Sequence, residues 1–151
     1  MAKYFIYFSA TGNGNFIAES LKEKGYTPIK VEMVKPMGKV GFWKILSYGF
    51  QAMTIKKAKI KDINLELKDD DQVIVGSPIW NDRLSTPINT VLTKFAFNKE
   101  TTEFVLYPAG EGTKKSIKVL KKKGFIKEPI VISNPLKNKD KVKELLSKVA
   151  A

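Results

Sequence analysis

The sequence predicts a doubly wound α/β domain, with five parallel strands covered by helices on both faces. Two observations carry this. Strand-like and helix-like segments alternate along all 151 residues, with no repeat, linker or low-complexity stretch. Strands joined by helical crossovers pair in parallel. The first strand segment is also an unbroken apolar run, Tyr4-Phe5-Ile6-Tyr7-Phe8. Strands buried on both faces read this way, whereas half-exposed strands alternate. The length suits one domain, 1–151, large enough to bury most of its apolar surface.

Each element has its own signal. The first strand, Lys3–Phe8, stops at Ser9-Ala10-Thr11-Gly12-Asn13-Gly14-Asn15. Phe16, Ile17, Ala18 and Leu21 then set a helical stripe, with Gly25 placed as its C′ residue. Ile29–Val34 alternates as the second strand. Over Val40–Met53, the residues Trp43, Leu46, Phe50 and Met53 recur at near-helical spacing. With Phe42 and Tyr48 this stretch is either a core-covering helix or a docking patch. The turn Asp69-Asp70-Asp71 leads into the third strand, Gln72–Gly76, and the loop Ser77–Ser85 follows. Thr86 caps the next helix with Pro87 at its first position, and Ile88, Val91, Leu92 and Phe95 form its inner face. Glu103–Tyr107 is the fourth strand and Pro108–Gly112 a tight loop. Thr113 caps a helix with Ile117 and Leu120 inward and Gly124 at its end. Ile130–Ser133 is the fifth strand, and Val142, Leu145, Leu146 and Val149 mark a closing helix after Asn138.

Composition narrows the chemistry. The chain has no cysteine and no histidine. Disulfides, thiolate nucleophiles, Cys/His metal sites and a Ser-His-Asp triad are thereby excluded. Reactivity must come from a borrowed cofactor, a carboxylate, or backbone and hydroxyl groups. No apolar run approaches the roughly 20 residues of a membrane helix, and no signal peptide fits, so a cytoplasmic protein is expected. The net charge of +12 is segregated. Residues 33–61 hold 7 lysines and no acid, 62–112 are net −5, and 113–151 are net +9. Arg83 is the only arginine among 27 basic residues, which argues against base readout in nucleic acid. Lysines suit phosphate, an anionic surface or an acidic partner protein, or simply solvated helix faces.

In a parallel sheet of this kind, ligands bind outside the carboxyl ends of the strands. Three loops leave those ends with unusual residues. Ser9–Asn15 offers hydroxyls, small residues and free amides at a helix N-terminus, a ready anion site. It lacks the Gly-Lys-Ser/Thr of a P-loop, and the third glycine position of the dinucleotide fingerprint is Ile17. Ser77–Ser85 places Trp80 in a polar connection, where either a planar ligand stacks on the indole or a neighbouring loop packs against it. Pro108–Gly112 is small enough to let a ligand edge approach the backbone; alone it also reads as an ordinary turn.

These residues resemble the flavodoxin family. The carrying motifs are Tyr7-Phe8-Ser9-Ala10-Thr11-Gly12-Asn13-Gly14-Asn15, then Gly76-Ser77-Pro78-Ile79-Trp80 with Ser85-Thr86-Pro87, then Ala109-Gly110-Glu111-Gly112. The resemblance covers the whole chain in element order and implies a sheet of order 2-1-3-4-5 holding FMN. By that resemblance Ser9, Ala10, Thr11, Gly12, Asn13, Gly14 and Asn15 hold the phosphate. Ser77, Pro78, Ile79, Trp80 and Asn81 flank the isoalloxazine, and Ala109, Gly110 and Glu111 meet its pyrimidine edge. The implied function is electron transfer between a reductase and an acceptor protein, by a monomer with no metal. Gly14 stands where the family often has threonine, and +12 is unlike the usual acidic carriers. Asp82 and Glu111 beside the ring would disfavour an anionic reduced flavin, with the lysine-rich helices on the opposite side.

Other readings compete with this one. A response-regulator receiver needs acids where this chain has Gly76-Ser77 and Ser9-Ala10. An FMN-dependent NAD(P)H:quinone-type reductase shares the motifs, although such relatives tend to be longer and dimeric. A cofactor-less basic binding module would use the lysines of 113–151, but Phe125 is the only aromatic there.

Overall fold

The computed structural model describes residues 1–34, 59–110 and 112–149. The helix expected over Val40–Met53, and Glu111, lie outside these residues. Strands β1 (Lys3–Tyr7), β2 (Thr27–Lys30), β3 (Gln72–Ile79), β4 (Glu103–Pro108) and β5 (Ile130–Val131) form one sheet in the order β2-β1-β3-β4-β5. Every pairing is parallel. Helices α1 (Asn13–Lys22), α2 (Thr86–Lys94), α3 (Lys114–Lys122) and α4 (Lys139–Leu146) pack on it, with a 3-10 turn at Pro135–Lys137 before α4. The expected order and class are those observed.

Because successive strand side chains point to opposite faces, the apolar strands build two cores. Ile6, Val73, Val75, Phe104 and Leu106 meet Ile88, Val91 and Leu92 of α2 and Leu120 of α3. Phe5, Ile74, Val105 and Tyr107 meet Ile17, Ala18 and Leu21 of α1 and Val142 and Leu146 of α4. Each fully buried large side chain contributes about 1.5–3 kcal/mol. Gly76 is part of this packing: a Cβ there would lie 2.6 Å from Cζ of the fully buried Phe5.

Boundaries move at several places. β2 lies earlier than Ile29–Val34 because its register is set by pairing of Thr27–Lys30 with Tyr4–Tyr7, leaving Met33 in an isolated bridge to Ile60. β3 runs three residues beyond Gly76, since β4 pairs it as far as Ile79↔Pro108. β5 is shorter than expected, although the Ile132 amide still donates to the Leu106 carbonyl. α2 begins one residue early, with Ser85 as its N-cap and Thr86 already helical. The glycine ends of α1 and α3 are as expected. Gly25 (φ 90°) and Gly124 (φ 97°) are followed by Tyr26 and Phe125, whose amides reach back to Leu21 and Leu120, the Schellman arrangement.

Candidate functional site

Parallel strands bring all their carboxyl ends to one edge of the sheet, and the loops leaving that edge enclose a cleft of about 400 Å³. At one end stand Ala10, Thr11 and Asn13. Pro78, Ile79 and Trp80 come from β3 and the loop after it, Tyr107 and Ala109 from the end of β4, and Asn134, Leu136 and Lys137 from the connection after β5.

The first loop folds around Ser9. Its Oγ accepts the amides of Gly12 and Gly14, both at 3.1 Å. Asn13 donates through Nδ2 to Thr11 Oγ1 at 3.4 Å and accepts through Oδ1 from the Leu136 amide at 3.1 Å. Asn15 Oδ1 accepts the Tyr7 hydroxyl at 3.1 Å, so its side chain is turned toward the sheet. Gly14 has no room for a side chain. A Cβ would lie 2.7 Å from Tyr107 Oη and 2.9 Å from Ser9 Cβ, which is the physical reason for glycine here rather than threonine. No acid occupies the first turn of α1, so its amides and dipole keep their positive character.

The Trp80 loop is self-contained. Trp80 and Arg83 exchange both backbone hydrogen bonds, at 2.9 and 3.0 Å, and Asn81 and Asp82 between them are left-handed (φ 51° and 56°). This is a type I′ turn, which asparagine and aspartate tolerate. Ser77 Oγ closes its base, accepting the Ser85 amide at 3.1 Å and pairing with Ser85 Oγ at 2.9 Å. The indole of Trp80 is 2% exposed and meets Phe8 edge to face at 5.8 Å. Its packing partner is therefore the neighbouring strand, while part of it still lines the cleft.

Asp82 does not reach the cleft. Its Oδ1 accepts the amides of Lys115 and Ser116 at 3.1 and 3.3 Å. It thereby caps α3, a task the sequence assigned to Thr113, whose side chain makes no capping bond. Tyr107 points inward. Its hydroxyl donates to the Phe8 carbonyl, and burial, with the nearby Tyr7, pushes its ionisation well above the ordinary value of 10. It stays a neutral donor throughout the physiological range.

The structure thus brings Ala10, Thr11, Asn13, Pro78, Ile79, Trp80 and Ala109 together around one cavity. Ser9, Gly12 and Gly14 shape the turn at its end, Ser77 lies buried at the base of the second loop, Asn81 is exposed at the tip of the I′ turn, and Gly110 turns the third loop at φ 115°. Glu111 lies outside the described residues. Sequence reasoning missed Asn134, Leu136 and Lys137. The signal was present in Asn134-Pro135, a turn-forming pair at the end of a fifth strand in the same sheet. Nor are the lysines confined to the far side, since Lys137 lines the cleft.

Among the described residues no cluster of acids suits a metal ion and no helix is long and apolar enough to cross a membrane. No family model and no curated protein matches the chain. Solved structures do share its fold. The "Putative flavoprotein" of Bacteroides uniformis superimposes with a TM-score of 0.77 at 19% identity, over 97% of this chain and 99% of that one. A second "putative flavoprotein", from Bacteroides eggerthii, gives 0.66 at 20% identity over 100% and 99%. A flavoprotein from Lactobacillus acidophilus, crystallised in complex with FMN, gives 0.61 at 16% identity over 92% and 97%. The chain therefore has a flavodoxin-like fold, shared over its length with these proteins.

Proposed function

We propose that the cleft binds FMN and that the protein is a cytoplasmic electron carrier, passing one or two electrons between redox partner proteins. The observation that carries this reading is the convergence of four loops on one cavity with chemically different ends. Thr11 and Asn13 stand beside the N-terminus of α1 at one end, and Pro78, Ile79, Trp80 and Ala109 form the apolar other. A phosphate favours the first environment and a flat ring the second. The volume, about 400 Å³, falls in the range of roughly 300–1,000 Å³ typical of small-molecule sites. The flavoprotein neighbours, one of them with FMN, support the same ligand.

On this reading Ser9 holds the turn open, Thr11 and Asn13 meet the phosphate, and Ile79, Trp80 and Ala109 exclude water from the ring. FMN supplies the redox chemistry, which this chain's side chains cannot. Tyr107 keeps its proton and holds Phe8 in place.

The test is the visible spectrum and tryptophan fluorescence of the protein titrated with FMN, followed by reduction with dithionite. A bound-flavin spectrum with quenched fluorescence supports the cofactor, and reduction in two separable one-electron steps supports the carrier. A single two-electron step, with turnover of NAD(P)H and a quinone, would move the function to a reductase. A colourless protein indifferent to FMN would overturn both and favour the lysine-rich surface as the functional one.

A further inference from the structure

Of the described residues lining the cleft, Lys137 alone carries a formal charge. Of the two carboxylates expected beside the cavity, Asp82 is bound to α3, and Glu111 lies outside the described residues. Lys137 is also placed toward one particular end. The Leu136 amide bonds Asn13 Oδ1 at 3.1 Å, and a Cβ on Gly12 would touch Leu136 Cδ1 at 3.6 Å. The Asn134 amide bonds the Pro108 carbonyl at 3.1 Å. These tie the Pro135–Lys137 turn across from the end of β4 to the first loop, the end where Thr11 and Asn13 stand.

Resting on the FMN reading above, we infer that Lys137 is a specificity-determining residue: it pairs with the terminal phosphate and makes the cleft prefer the phosphorylated flavin over its dephosphorylated form. A phosphomonoester carries about −1.5 to −2 charges at neutral pH. The first loop meets it only with neutral groups, two of whose amides are already shared with Ser9 Oγ. An ammonium on the rim supplies the missing countercharge as a point charge on a flexible stem. Lys137 is exposed, so the pairing is screened by water and salt, and its effect is that of a partly solvated ion pair.

The experiment compares binding of FMN and of riboflavin to the full chain and to Lys137→Ala and Lys137→Arg, at low and high salt, with the melting temperature as a check on folding. The expected result is that Lys137→Ala loses about threefold to tenfold in affinity for FMN and less than about twofold for riboflavin. The FMN loss should shrink at high salt, and Lys137→Arg should retain the preference. Equal losses for the two flavins, or no loss, would overturn the assignment while leaving flavin binding standing. A wild-type protein that binds neither flavin overturns the function proposed above, and this assignment with it.

Discussion

Two helices begin beside the same edge of the sheet and are finished in opposite ways. At α3 the carboxylate of Asp82 arrives from the Trp80 loop, 33 residues away from Lys115, and accepts two first-turn amides. At α1 no acid is present, and the Gly12 and Gly14 amides share one serine hydroxyl. Both helices need their leading amides satisfied. A carboxylate does so strongly and repels any other anion from that end. A hydroxyl does so weakly and leaves the helix able to accept one. On the function proposed above, this contrast makes α1 the receptive end and α3 scaffold, although neither helix carries an acid in its own first turn.

The sharpest way to break this contrast is to fill the space at α1. Gly14→Ala places a methyl 2.7 Å from Tyr107 Oη, a group held by the Phe8 carbonyl. Alanine's better helix propensity returns up to about 1 kcal/mol, but overpacking costs about 1–3 kcal/mol. A net loss in chemical denaturation is expected, with FMN binding weakened more than tenfold. An unchanged midpoint would mean that Tyr107 yields easily.

Next comes the rigidity of the scaffold loop. Ser77→Ala removes the acceptor of the buried Ser85 amide, and an orphaned buried group costs about 1–3 kcal/mol. The loss should appear in stability, and as slower docking of Trp80 against Phe8 by near-UV circular dichroism. Asp82→Ala uncaps α3 and should cost about 0.5–2 kcal/mol, with little change in flavin affinity. A large loss of affinity there would return Asp82 to the site.

The converse substitution reverses the sign between stability and binding. Thr11→Asp gives α1 the carboxylate it lacks and should stabilise the protein by about 0.3–1 kcal/mol, while weakening FMN by repulsion of its phosphate. If affinity were unchanged, the phosphate would not lie at this turn.

A last, small effect serves as a control far from both helices. Asp71 accepts the amides of Ala2 and Lys68, each at 2.9 Å. These bonds hold its carboxyl below the ordinary value of 3.8. The unfolded chain therefore binds the proton more readily. The stabilisation is complete above the ordinary value and is lost as pH falls through the lower folded one. Asp71→Asn should lower stability in the neutral region toward its acid value, flattening the acid limb of the pH–stability curve, and leave flavin affinity nearly unchanged.

Element types, the parallel sheet and the glycine ends of α1 and α3 were legible in the chain because they depend on neighbours within a few residues. Apolar runs, helical periodicity and a glycine at C′ are local signals. The three cleft-lining loops were legible for a related reason, since the carboxyl ends of parallel strands share one edge whatever the helices between them do. Tertiary structure decided the rest. That Asp82 would cap α3 rather than face the cleft depended on the I′ turn at Asn81-Asp82. That Trp80 would find Phe8 depended on β3 extending to Ile79. That Lys137 would line the same cleft as Thr11 required the last strand to pair with β4 and the Leu136 amide to bond Asn13, 123 residues away. Such contacts follow from packing the whole chain at once, because the energy that selects them comes from partners that no local window of sequence contains.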